Sequence, residues 1–209
     1  MISAVLFDFD GVLTTDKTGS ITTIRYLSAK TGLDEQKIWS AFASFNDDLL
    51  YGLATHSEIW PAFCIALGQE LDIALLTGAF ESTPMNKEML DLARGLKTAG
   101  YSIGIVTDNK KDRIDCLRAH LELDSLFSPI VVSAECGSGK DGPAIFNIAL
   151  AQLDVKADQT IFIDNSKRNL VAAEAIGIKT IHFDDSTNDV QGLAAALEWQ
   201  HGVTTSSGA

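Results

Sequence analysis

The chain has little cysteine and little positive charge, and each shortage excludes something. Its 209 residues hold three cysteines, Cys64, Cys116 and Cys136, far apart and without a CxxC pair. That spacing supplies neither a zinc site nor a disulfide framework, so the expectation is buried, reduced thiols in a cytoplasmic protein. Only 16 lysines and arginines stand against 28 acids, a formal net charge of −12. A surface of that sign cannot neutralise a phosphate backbone and repels anionic lipid, which argues against nucleic-acid and membrane partners. The first apolar stretch is too short to span a bilayer and lacks the basic start of a secretion signal. Four histidines, His56, His120, His182 and His201, are scattered and read as ordinary surface or core residues.

What remains is an ordinary globular composition, 46% hydrophobic and 21% charged, long enough for one core or one core with an appendage. Apolar runs at 2–7, 101–106, 129–133 and 160–163, and a weaker one at 179–183, read as buried parallel strands. Helical patterns lie between them at 85–100, 110–123, 143–153 and 166–177, with Gly100 and Gly177 placed to end helices. Alternation of this kind predicts an α/β fold, a Rossmann-like three-layer α/β/α core with a mainly parallel sheet.

One interval breaks the rhythm. Between the first strand and the second, patterns at 21–32, 34–46 and 56–68 are all helical, although one helix suffices for a crossover. Asp34 and Ser57 are plausible helix starts, and Pro61 reads as part of a first turn. The surplus, 15–82, is expected to form a helical domain inserted above the sheet, with the core from 1–14 and 83–200 and a flexible tail at 201–209. Trp39, Phe42, Phe45, Trp60 and Phe63 recur at helical spacing as the insert's core, with one or two available to a cavity.

In open α/β sheets, ligands bind at the carboxyl ends of strands. The first strand ends in Asp8 and Asp10, within VLFDFDGVL. On an alternating strand these two point the same way, and like charges so close call for a cation. The second strand ends in Thr107, Asp108 and Asn109; the fourth ends in Asp164 and Asn165; Lys140 stands in the loop ECGSGKDGP. Asp8 and Asp164 are candidate oxygen ligands for Mg²⁺, Thr107 for a phosphate oxygen, and Lys140 for charge neutralisation. One aspartate is then a nucleophile and the other a general acid and base. Each residue also has a plainer role: Asp164 or Ser166 as a helix cap, Thr107 as a strand-end hydroxyl, Lys140 as a surface lysine.

DFDGVL, Thr107, Lys140 in GKDGPAIF and FIDNSKRNL together resemble the haloacid dehalogenase superfamily of phosphatases, over about residues 4–183. The resemblance implies a helical cap inserted after the first motif, with Asp8 as nucleophile and Asp10 as general acid and base. It places Thr107 and the N–H of Asp108 on phosphate and Lys140 between nucleophile and phosphate. It puts Mg²⁺ on the Asp8 carboxylate, the Asp10 carbonyl and Asp164. The activity implied is hydrolysis of a small phosphorylated metabolite through an aspartyl phosphate. Alternatives are a phosphomutase acting on sugar phosphates and a non-catalytic phosphate-binding relative.

Three positions depart from the family's pattern. Asn165 replaces a frequent second acid, so weaker metal affinity is expected. Asp141 stands where proline is common and is expected to blunt the Lys140 charge. Asp108 faces a site meant for an anion. Asn169 is expected to face solvent or to serve local packing.

Overall fold

The computed structural model describes residues 1–205. The five apolar runs become β1 (Ala4–Phe7), β2 (Ser102–Thr107), β3 (Ile130–Val132), β4 (Thr160–Asp164) and β5 (Lys179–His182). They form one parallel sheet in the order β3-β2-β1-β4-β5. Every residue of β1 is buried, as a central strand covered on both faces requires.

The period of two along a strand sorts the apolar side chains between two cores. Val5, Phe7, Ile103, Ile105, Ile161 and Ile163 face one side. There they meet Met89 and Leu96 of α6 (Lys87–Thr98), Leu117 of α7 (Lys111–Leu121) and Leu197 of a C-terminal helix, Val190–His201. Leu6, Val106 and Phe162 face the other, against Phe146 and Ala149 of a helix at Ala144–Leu153 and Leu170 and Ala173 of one at Lys167–Ala175. The helical pattern does not announce Val190–His201, whose stripe is diluted by alanines. Two short helices, α8 (Leu123–Leu126) and α9 (Ser133–Cys136), flank β3. The three longer helices that follow are α10, α11 and α12 in chain order.

Five helices precede α6: α1 (Gly19–Thr31), α2 (Glu35–Ala43), α3 (Asn46–Leu50), α4 (His56–Leu67) and α5 (Leu75–Glu81). Their buried residues, among them Ile24, Leu27, Ile38, Phe63, Leu67 and Phe80, make a separate apolar cluster. The chain enters and leaves this region along adjacent paths, since Thr15 N–H donates to Pro84 O and Asn86 N–H to Leu13 O, both at 2.9 Å.

Several local expectations need correction. Asp34 does cap α2, accepting from Lys37 N–H at 3.1 Å, but α4 is capped by Thr55, not Ser57. Thr55 and Glu58 form a reciprocal capping box, which a hydroxyl two positions later cannot make. Pro61 therefore falls in the second turn of α4, where the Ser57 carbonyl loses its helical partner. Of the expected tail, His201 closes α12 and Val203 is buried in the main core, because the left-handed Gly202 turns the chain back onto it; residues 206–209 lie outside the described residues. All three cysteines are free, and Cys64 alone among them is buried.

Candidate active site

Strand register places the key acids side by side. Phe7 of β1 pairs with Ile163 of β4, so the next residues, Asp8 just past β1 and Asp164 at the end of β4, stand side by side at the sheet's carboxyl edge; Asp8 N–H donates to Ile163 O at 2.8 Å. This is the sheet's switch point, where β1 is followed across the sheet by β2 on one side and β4 lies on the other.

Lys140 enters between these acids. Its Nζ lies 2.6 Å from Asp8 Oδ1 and 2.7 Å from Asp164 Oδ2, with all three side chains buried. Burial works against the ammonium, yet Asp8, Asp164 and Asp108 outweigh it and hold the Lys140 pKa above its ordinary value. Asp8 shows the other side of this balance. Burial raises its pKa, Lys140 lowers it and Asp164 raises it again, and it is pushed up to about 7. One buried cation does not offset that burial together with the neighbouring acids.

Asp164 is held tightly. Its Oδ1 accepts from Ser166 N–H at 2.7 Å, and Asn169 Nδ2 reaches Oδ1 at 3.3 Å and Oδ2 at 3.1 Å. Asn169 therefore belongs to the site rather than to solvent, because the first turn of α11 directs it back over the end of β4. Asp108 also has an account. Its Oδ1 accepts the backbone N–H of Lys140 at 2.9 Å, so it anchors the lysine loop instead of confronting an anion. Burial raises its pKa, against the pull of Lys140. Asp141 is exposed, and the ammonium pairs with Asp8 and Asp164, so the expected blunting by Asp141 does not occur.

Asp10 departs most from the sequence reading. β1 ends at Phe7, and the chain makes a wide turn over Phe9–Leu13 with Asp10 extended (φ −75°, ψ 128°) and Gly11 left-handed (φ 78°). The two acids thus do not share a strand face, and Asp10 turns to Arg113. Arg113 NH1 donates to Asp10 Oδ2 and NH2 to Oδ1, each at 2.9 Å, and Asn109 Nδ2 adds a third bond to Oδ2 at 2.9 Å. Arg113 is buried, bonds Asn109 Oδ1 at 3.0 Å and packs over the Phe9 ring at 5.6 Å. A Cβ on Gly19 would collide with its guanidinium, so that glycine makes its room. Sequence reasoning missed Arg113. The available signal was its place four residues beyond Asn109 of the polar segment after β2, one helical turn into the pattern that follows.

The helical insert closes the site from above. His56 is buried, and its Nδ1 lies 2.8 Å from both oxygens of Asp112, joining α4 to α7. Lys110 Nζ donates to Asn46 Oδ1 at 3.1 Å. A cavity of about 660 Å³ lies between insert and sheet, bounded by Asp8, Asp10, Thr107, Lys140 and Asn165 below and Trp39 and Phe42 above.

The residues fit a magnesium ion. Among the described residues no group of three or more His, Cys, Asp or Glu makes a protein cage for a metal. Mg²⁺ does not ask for one, since it retains waters and takes one or two carboxylates. Asp8, raised chiefly by burial and further by Asp164, is a carboxylate whose charged form a divalent cation would favour.

A parallel sheet with paired acids at its switch point, a buried lysine between them and a helical insert after β1 defines a hydrolase of one class. The family model for haloacid dehalogenase-like hydrolases matches residues 5–183, and the chain belongs to that family. Bifunctional epoxide hydrolase 2 of Rattus norvegicus is 26% identical over 208 residues, 90% of this chain and 37% of that protein. Sesquiterpene phosphatase of Aspergillus oryzae is 35% identical over 99 residues, 47% of this chain and 50% of that one. The matches thus span half or less of these curated relatives. A haloacid dehalogenase family enzyme of Bacteroides thetaiotaomicron shares the fold, with a TM-score of 0.73 at 19% identity over 92% of this chain and 98% of that one. The wild-type form of that enzyme has been crystallised with magnesium and inorganic phosphate (TM-score 0.66, 20% identity, 87% of this chain and 94% of that one). No helix among the described residues is long and apolar enough to cross a membrane.

Proposed function

We propose that the protein is a Mg²⁺-dependent phosphomonoester hydrolase, acting on a small phosphorylated metabolite through an aspartyl phosphate on Asp8. The observation that carries this reading is the convergence of Asp8 and Asp164 on Lys140, with Asp10 held beside them. The carboxylate of Asp8 attacks phosphorus, the bond from phosphorus to the leaving oxygen breaks, and Asp10, protonated at the start of this step, gives that oxygen its proton. In the second step Asp10, as a carboxylate, takes a proton from water as the water attacks phosphorus and releases Asp8. Thr107 and the N–H of Asp108 hold phosphoryl oxygens, and Lys140 offsets charge on nucleophile and phosphate.

The Asp8 carboxylate, the Asp10 carbonyl and Asp164 would hold Mg²⁺, which supplies Lewis-acid neutralisation of phosphoryl oxygens when bound. Arg113 and Asn109 fix the Asp10 carboxylate in orientation. We assign 15–82 as a cap and 1–14 with 83–200 as the catalytic core; the separate apolar cluster and the adjacent entry and exit paths support that division. That one relative is a phosphatase and another enzyme of the same fold was crystallised with magnesium and phosphate supports the assignment.

The test is turnover of a generic phosphomonoester with Mg²⁺ and with EDTA, combined with acid-quench trapping of labelled phosphate on protein. Wild type should turn over only with the metal and carry acid-stable, base-labile label; Asp8→Asn should do neither while staying folded. Undiminished turnover in Asp8→Asn would overturn the assignment.

A further inference from the structure

We propose that the substrate's leaving group is an apolar alcohol, alkyl or aryl, rather than a sugar or a second anionic group. This rests on the hydrolase reading above and deepens it by naming the ester class. The cavity has two unlike halves. Its floor carries the charged groups of the sheet edge, Asp8, Asp10, Asp108, Lys110, Arg113 and Lys140. Its roof, where helices α1–α5 face the floor, contains no Asp, Glu, Lys or Arg; on the insert's side the one charged lining residue is the exposed Lys17, ahead of α1. Ile24, Trp39, Phe42, Leu49 and Phe80 provide most of that roof. A volume of about 660 Å³ leaves ample space beyond the phosphoryl group, within the range of about 300–1,000 Å³ usual for small-molecule sites.

The polar groups of the roof are mostly committed. Asn46 accepts from Lys110 through Oδ1 and donates to Asp47 through Nδ2. His56 spends Nδ1 on Asp112, and its ring is wedged between Phe42 and Phe80 with centroids 6.0 Å and 5.4 Å away. The Ser20 and Thr23 hydroxyls, His56 Nε2 and, ahead of α1, the Lys17 ammonium are what remain. A sugar enclosed here would give up water for several hydroxyls without gaining matching partners, and each such loss disfavours binding. A second phosphate or carboxylate would face mostly aliphatic and aromatic carbon, with the exposed Lys17 the one cation on that side. An alkyl or aryl group has no such cost and gains from removing roof and ligand surface from water.

The experiment measures kcat/KM with Mg²⁺ for n-alkyl phosphates from ethyl to octyl, for phenyl phosphate, and for glucose 6-phosphate. In parallel, calorimetry measures binding of methyl- to octylphosphonate, which cannot be hydrolysed. The expectation is a rise of about fourfold per methylene over several carbons. Phenyl phosphate should exceed glucose 6-phosphate by at least about tenfold. Trp39 is 48% exposed, so Trp39→Ala should stay folded, and it should reduce the octyl-to-ethyl ratio. A preference for glucose 6-phosphate, or kcat/KM independent of alkyl length, overturns the proposal while leaving the hydrolase reading intact. No turnover of any ester, with phosphonate affinity still rising with length, defeats the hydrolase reading and supports the apolar chamber. Neither turnover nor length-dependent affinity overturns both.

Discussion

Arg113 grips Asp10 by both oxygens, with two N–H···O distances of 2.9 Å from a guanidinium that is itself buried. A planar fork of this kind fixes a carboxylate in orientation as well as in charge. Arg113→Met should lower kcat by about a hundredfold, because a misoriented acid and base loses most of its advantage. KM should change much less, since Asp10 is not the phosphate anchor. Arg113→Lys, which keeps charge but not the fork, should fall between. Steady-state kinetics on folded variants, checked by circular dichroism, decide this; equal rates in wild type and Arg113→Met would remove the positioning role.

Lys140 makes a second, separable prediction. Lys140→Met leaves the buried Asp8 and Asp164, with the half-buried Asp108 beside them, around no cation and should cost about 3–5 kcal/mol in denaturant unfolding. Adding Asp8→Asn should restore part of that loss, since it removes one of the stranded charges. If the double variant is no more stable than Lys140→Met alone, the two side chains are not energetically coupled as their 2.6 Å contact implies.

Asn165 bears on the metal. Its amide lies against Gly11 at the cavity floor, and an acid there adds charge to the donor set. Asn165→Asp should tighten Mg²⁺ binding, by roughly tenfold, as ligand charge tunes hard-cation affinity. Titration calorimetry with Mg²⁺ measures it directly. Unchanged affinity would place Asn165 outside the metal's surroundings.

Gly11 is constrained twice. Its φ of 78° is left-handed, and a Cβ would run into the Asn165 amide. Gly11→Ala should therefore destabilise the fold by at least about 1–2 kcal/mol from backbone strain alone. It should also displace Asn165 and so reduce activity. A chemical-denaturation midpoint equal to wild type would contradict this.

The His56–Asp112 pair predicts a pH dependence. Burial tends to raise the Asp112 pKa, but the hydrogen bond and charge of His56, with backbone N–H donors, hold it below the usual 3.8. A carboxyl lowered on folding contributes stability above its unfolded pKa and loses it as pH falls through the folded one. Wild type should therefore be more stable than Asp112→Asn at pH 5, with the gap closing as pH drops well below 3.8. Thermal melts across that range measure it. A gap that widens towards acid would reverse the sign.

The sheet and its acids were legible because both follow from short-range pattern. Buried parallel strands must be continuously apolar, and polar residues directly after them must fall at one edge of the sheet. Asp8, Thr107 and Asp164 were found that way. The shared strand face given to Asp10 was wrong, because strand alternation was carried two residues too far, past the end of β1 at Phe7, although Asp10 does line the same cavity. Asn169 and Arg113 were misplaced or missed because helix orientation against the sheet decides where they point.

The chain's own order of residues determined the α/β alternation, the helical surplus after the first strand and the line of acids, since periodicity and strand ends are local properties. Tertiary structure alone decided that Asp10 belongs to Arg113, that Asp108 serves the lysine loop and that apolar carbon roofs the cavity. Those outcomes depend on contacts between residues 99 and 103 positions apart, as in Asn109 with Asp10 and Arg113 with Asp10, and on the packing of the helical insert over the sheet's edge. Charge pairing and desolvation act through space, and sequence distance does not encode them.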